Sequence, residues 1–233
     1  MGASVEARAA STVTISAQSV AERLHAVRQR IQAAGGVDVR VVAVTKTFGI
    51  DAVLAAAAAG CDGIGENYAQ ELVAKLTHIT GLPPVHFIGQ LQTNKVRLVA
   101  PLVAVYETVD RVSLANELAK RVPGAAVLVQ VRPDDPSSSG GQGKAGCSLD
   151  QAPALIDHCR GRGLQPLGLM TVGPTDGGPA AARTGFRDVR AMVDRLGLSV
   201  CSMGMTDDLE VAVGEGSTQV RVGSALFGPR VSA

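Results

Sequence analysis

The chain has no tryptophan, and aromatic residues make up only 3% of its 233 positions. With so few large rings, the core must be built from Ala, Val, Leu and Ile. No CxxC pair occurs among the four cysteines (61, 147, 159 and 201), and no histidine stands at zinc-finger spacing. Buried, reduced thiols are the simplest reading. No apolar run reaches the length of a membrane-spanning helix, about 18 residues. The first residues, MGASVEARAASTVT, lack the apolar stretch of a secretory signal and carry Glu6. The expected location is therefore the cytoplasm. Excess charge is also missing: 22 Lys and Arg face 21 Asp and Glu, for a net charge of +1. That balance gives no sign of a nucleic-acid or anionic-membrane surface. Neither a GxGxxG after the first strand nor a GKS/GKT loop is present, which argues against a dinucleotide fold and a Walker A site.

What is present is alternation. Residues 1–12 read as a disordered tail, and 13–233 as one domain. Ile15 to Ala34 reads as an amphipathic helix, with Val20, Leu24, Val27 and Ile31 on one face and Gly35-Gly36 as its stop. Eight short segments that read as apolar on both faces follow, beginning with VRVVAVTK and ending with QVRVGSALFG, with helical segments between them. Such alternation implies parallel pairing with right-handed crossovers. Eight units in this length predict an α/β fold, a single (β/α)8 TIM-type barrel with an extra N-terminal helix. The eighth predicted strand falls near the end of the sequence, so no second domain is expected. Gly- and Pro-rich loops after strands five (133–146) and six (from Thr171) are placed at the C-terminal mouth, where sites of such barrels form.

Five lysines occur, at 46, 75, 95, 120 and 144. Lys75 and Lys120 fall on polar helix faces and read as solvated. Lys46 alone ends an apolar strand, VVAVTK, and so points into the mouth of a barrel. A lysine there pairs with an acid such as Glu66, binds an anion, or loses its proton and attacks carbonyls to give a Schiff base. Arg221 interrupts the last apolar strand, and Gly223-Ser224 follow it, where small residues let backbone N–H groups approach a phosphate. SMGMT (202–206) adds small, hydroxyl-bearing residues after strand seven. An amine at one side and a phosphate cradle at the other suit pyridoxal 5′-phosphate. Arg221 would then face the ring nitrogen, stay charged and keep that nitrogen unprotonated, which weakens the ring as an electron sink. Asn67 either bonds the cofactor ring or caps a helix. His86 reads as a core histidine, Gln92 and Asn94 as facing the mouth, and Met170 as packing.

The segments AVTK (43–46), GENYAQE (65–71), HFIGQLQTNK (86–95), KAG (144–146), GLM (168–170), SMGMTDDLEVAV (202–213) and GSTQVRVGSALFG (216–228) together resemble the pyridoxal phosphate homeostasis (YggS/PROSC) family. The resemblance implies a barrel similar to the alanine racemase N-terminal domain, with the cofactor held covalently by Lys46. It implies phosphate contacts at Ser202, Thr206, Gly223 and Ser224, and Arg221 at the ring nitrogen. Asn67, Met170 and Met203 complete the expected cofactor-binding set. It also implies a role in vitamin B6 and amino-acid homeostasis without catalytic turnover. The partners implied are pyridoxal phosphate and apo-enzymes that need it, with no nucleic acid or membrane, and the protein is expected to be a monomer. The rival is a pyridoxal phosphate-dependent racemase, which needs a second base that alanine racemase draws from a further domain. Thr206 stands where the family usually has Ser, and TFGID (47–51) replaces a Pro-containing exit from strand one.

Overall fold

The computed structural model describes residues 15–133, 145–174 and 176–229. The expected tail over 1–12 lies outside them, as do Lys144 and most of the loop after the fifth strand. The first elements are α1 (Ala17–Ala33), β1 (Arg40–Val44), α2 (Ile50–Ala59), β2 (Gly63–Glu66), α3 (Ala69–Leu76) and β3 (Val85–Phe87). Next come α4 (Val96–Val99), β4 (Val105–Val109), α5 (Val112–Arg121), β5 (Ala126–Arg132), β6 (Cys147–Ser148) and α6 (Ala152–Gly161). The last part holds β7 (Gln165–Met170), α7 (Gly178–Ala181), α8 (Arg183–Arg195), β8 (Val200–Ser202), α9 (Leu209–Gly214), β9 (Gln219–Val222) and α10 (Ser224–Phe227).

The strands form the expected barrel. The order β4-β3-β2-β1-β9-β8-β7-β5 closes on itself because β4 also pairs with β5. The pairing is parallel throughout, with Val44 opposite Gly65 on one side of β1 and Val42 opposite Arg221 on the other. The two-residue β6 was not expected; it adds to β5 beside the barrel, so the sixth, seventh and eighth predicted strands are β7, β8 and β9. Val41 to Val44 are all buried, because helices cover the outer face and packed side chains fill the inner one.

The extra helix α1 begins later than its periodicity suggests. Ser16 and Ser19 cap one another reciprocally, which fixes the start at Ala17. Its buried face is Val20, Leu24, Val27 and Ile31, as read from the sequence. Two arginines on α1 then reach the strand exits. Arg23 Nη1 donates to the Leu226 carbonyl at 3.0 Å, and Arg30 Nη2 donates to the Thr206 carbonyl at 2.8 Å.

One expectation fails inside the barrel. The strands read as apolar on both faces, but the interior carries a polar network. Ser202 Oγ (β8) donates to Glu107 Oε2 (β4) at 2.7 Å, and Gln219 Nε2 (β9) donates to Glu107 Oε1 at 2.7 Å. β4 is not a neighbour of β8 or β9, so these bonds cross the barrel axis. His86 Nδ1 lies 2.5 Å from Glu107 Oε1, which confirms His86 as a satisfied core residue. An apolar cluster of Leu128, Met170 and Val200 packs elsewhere in the interior. All four cysteines are buried free thiols. Burial pushes those of Cys61, Cys147 and Cys159 up to about 11 and that of Cys201 up to about 12.

Candidate functional site

A cavity of about 500 Å³ opens at the C-terminal ends of the strands. Lys46 enters it two residues beyond β1, Asn67 follows β2, and Met170 ends β7. Thr206 comes from the loop after β8, Gly223 and Ser224 from the exit of β9, and Arg221 from within β9. Seven of the nine expected site residues thus converge on one space.

Ser202 and Met203 do not line it. The hydroxyl of Ser202 is fully buried and points down the barrel, donating to Glu107 and accepting from Arg221 Nη1 at 2.7 Å. Met203 is fully buried in the main core, its sulfur 3.6 Å from that of Cys201. Ser202 ends β8 facing the barrel axis, and Met203, just beyond the strand, turns into the main core, so neither side chain reaches the open mouth. The cavity instead includes Val172 and Met205 as an apolar rim and Asp207 as a carboxylate, none of which stood out in the sequence.

Arg221 is the floor of the site. It is 3% exposed, and Nη1 donates to both the carbonyl and the hydroxyl of Ser202 while Nη2 donates to the Thr171 carbonyl at 2.6 Å. A guanidinium has five N–H groups, so these bonds fix its plane and leave donors for a ligand. Burial lowers its pKa from the usual range, with the charges of Glu107 and Asp208 pulling the other way. An arginine nevertheless keeps its proton.

The opposite wall is built from hydroxyls. Ser224 Oγ donates to Thr206 Oγ1 at 3.1 Å, and the Ala225 N–H reaches the same oxygen at 3.4 Å. Asp208 Oδ1 accepts from the Met205 N–H at 2.6 Å, which sets the turn before Thr206. The backbone of Gly223 passes close to β1: a Cβ there would stand 3.4 Å from the Val44 carbonyl oxygen. Asn67 is placed by a different close approach. A Cβ on Gly89 would fall 1.9 Å from the Asn67 carbonyl oxygen, so only glycine lets the exits of β2 and β3 meet there. Tyr68, not Asn67, occupies the N-cap position of α3. Gln92 lines a smaller cavity of about 210 Å³ that shares Asn67 with the first, together with Gln90 and Lys95.

Lys46 is half-buried, and its expected neighbour Glu66 is engaged elsewhere. Glu66 Oε1 accepts from Thr45 Oγ1 at 2.7 Å and from Lys75 Nζ at 2.9 Å. Lys75 is therefore not solvated: its side chain is 10% exposed and sits between Glu66 and Glu71. Its stem leaves the polar helix face and turns inward because the ammonium finds two carboxylates there. Thr47, the residue after Lys46, has φ of +67°.

This is a parallel eight-stranded barrel whose strand ends gather an amine, a guanidinium and paired hydroxyls at one mouth. Residues 15–231 match the family described as alanine racemase, N-terminal domain. A pyridoxal phosphate homeostasis protein of Pseudomonas aeruginosa is 38% identical over 224 residues, covering 92% of this chain and 95% of that one. PipY of Synechococcus elongatus, solved with PLP bound, is 30% identical with a TM-score of 0.75, covering 90% of this chain and 100% of that one. An alanine racemase of Clostridium difficile shares the fold at a TM-score of 0.68 and 14% identity, over 91% of this chain and 58% of that one. The chain belongs to the alanine racemase N-terminal domain family and, within it, to the pyridoxal phosphate homeostasis proteins.

Proposed function

We propose that this protein binds pyridoxal 5′-phosphate through Lys46 and serves the homeostasis of vitamin B6 and amino acids in the cytoplasm, as a carrier without turnover. The observation that carries this reading is the convergence of Lys46, Arg221 and the Thr206–Ser224 hydroxyl pair on one cavity. The donor set fits the cofactor. A primary amine suits its aldehyde, a buried guanidinium with N–H groups to spare suits its ring nitrogen, and hydroxyls beside the β9 exit suit its phosphate. The cofactor would supply an aldehyde that an amine can bond and a ring able to draw electrons from that bond.

The chain's own residues then have these roles. Lys46 would hold the cofactor, its primary amine being the cavity's group able to bond an aldehyde. Arg221 would donate to the ring nitrogen and keep its own proton, so the ring would draw electrons more weakly. Thr206, Ser224 and the Gly223 backbone would hold the phosphate, and Asn67 and Met170 would line the rest of the cofactor's space. Residues 13–233 act as one monomeric domain, and apo-enzymes are the recipients.

The test is direct. Purified protein is mixed with pyridoxal phosphate, reduced with borohydride and digested. The label is expected on the peptide containing Lys46 and absent from a Lys46→Ala variant. A label on Lys75, Lys95 or Lys144, or none at all, overturns the reading. Steady turnover of a free amino acid by the loaded protein would favour the racemase instead.

A further inference from the structure

The peptide groups on both sides of Lys46 are held from outside the cavity. Lys75 Nζ donates to the Thr45 carbonyl at 2.8 Å, and the Thr47 N–H donates to Glu71 Oε1 at 2.6 Å. Glu71 and Lys75 are i,i+4 neighbours on α3 and are 2.5 Å apart. Lys75 also reaches Glu66, whose carboxylate accepts from the Thr45 hydroxyl. A cluster of one cation and two acids thus grips the chain just before and just after the cofactor-binding lysine. Neither Glu71 nor Lys75 lines the cavity.

The grip has something to oppose. Thr47 is β-branched and sits in the left-handed region at φ +67°. Such a residue is strained there and stays only when its surroundings fix it. The turn is otherwise closed by the Phe48 N–H donating to the Thr45 carbonyl at 3.1 Å. If Thr47 relaxed to negative φ, the chain on either side would rotate, and Lys46 would leave its aim at the mouth.

We propose that Glu71 and Lys75 are positioning residues: they hold Thr47 in its left-handed conformation so that the Lys46 amine is set for the cofactor aldehyde. This rests on the reading of Lys46 given above. A strained position next to the amine, fixed by a charged pair that lies outside the cavity, is a way to set orientation before binding.

Glu71→Ala and Lys75→Met, each alone and each combined with Thr47→Gly, test this. Glycine adopts positive φ without strain, so Thr47→Gly removes the need for the grip. In Glu71→Ala, the Thr47 amide is expected to lose its protection in hydrogen exchange while the β1 and β2 amides keep theirs. Cofactor affinity, read from the visible spectrum, is expected to fall about tenfold, the loss of one charge-assisted bond. Adding Thr47→Gly is expected to restore most of that affinity. A simple loss of packing would not be repaired by a glycine. Lys75→Met is expected to follow the same pattern, including the repair.

Wild-type affinity in Glu71→Ala, or a loss that Thr47→Gly leaves unchanged, overturns the proposal while a Lys46 adduct in the wild type leaves the cofactor reading standing. A wild type that forms no Lys46 adduct removes both at once.

Discussion

Glu107 is fully buried in the barrel and hydrogen-bonded to Ser202 and Gln219, with His86 2.5 Å away. Burial is the largest influence on its pKa and pushes it up. The bond and charge of His86, the charge of Arg221 and the Ser202 hydroxyl together outweigh burial, so the net direction is down. A carboxylate lowered on folding adds stability that is full above its ordinary pKa near 4.5 and is lost as the pH falls through the folded value. The resistance of the wild type to urea is therefore expected to fall on acidification, and Glu107→Gln is expected to remove part of that dependence. Glu107→Leu strips the buried His86, Ser202 and Gln219 of their shared acceptor and Arg221 of one of two nearby negative charges, and is expected to cost about 3–5 kcal/mol at pH 7. Glu66 behaves oppositely. Burial raises its pKa more than Lys75 and Thr45 lower it, so its contribution is present at low pH and fades as the pH rises through the raised value. Lys46 and Arg221 were legible in the sequence because each breaks an apolar run with a charge. Ser202 and Lys75 were misread because their roles depend on partners across the barrel or on another element. No local pattern reports that Ser202 lies between Glu107 and Arg221.

At the scale of the element, α1 is more than a cover. Arg30 forms a two-pronged pair with Glu210 and donates to the Thr206 carbonyl, so the extra helix steadies the loop carrying one of the paired hydroxyls of the mouth. Both members of that pair are well exposed, with side chains 35% and 49% accessible, so the pair itself is worth at most about 1 kcal/mol. Arg30→Met is expected to change the unfolding midpoint little while weakening cofactor binding severalfold, read by titration. Val27→Ala, on the buried face of the same helix, is expected to do the reverse: roughly 1–3 kcal/mol off stability with near-normal binding in the folded protein. The face of α1 was legible because four apolar residues keep its period. β6 and α10 were not, since two and four residues are too few to show a period, and Ser224 opens α10 where the sequence suggested only an exit.

For the whole molecule, the alternation of strands and helices made the barrel legible, whereas the bonds that close it, between β4 and β5, leave no mark on either strand alone. The filled interior is where the reading of strands as apolar on both faces broke down, because one polar residue in a short strand hardly disturbs its average. A ligand that binds only the folded barrel stabilises all of it. At a hundredfold excess over Kd the gain is about 2.7 kcal/mol. For a chain of this size that is an expected rise in Tm of roughly 5–11 °C with pyridoxal phosphate. Lys46→Ala is expected to lose most of the shift in a thermal scan.

The bond from Arg23 to the Leu226 carbonyl brings the first and last described helices, α1 and α10, together. A closed ring of strands whose two ends touch has no privileged starting point. A circular permutant, with its old ends linked and new ones cut between residues 133 and 145, would begin at β6 and finish at β5. β9, which carries Arg221, and β1, which leads to Lys46, would become consecutive strands in the middle of the chain. Such a permutant is expected to fold and to take its borohydride-fixed label on the same lysine, because the site belongs to the ring and not to the order in which the chain visits it.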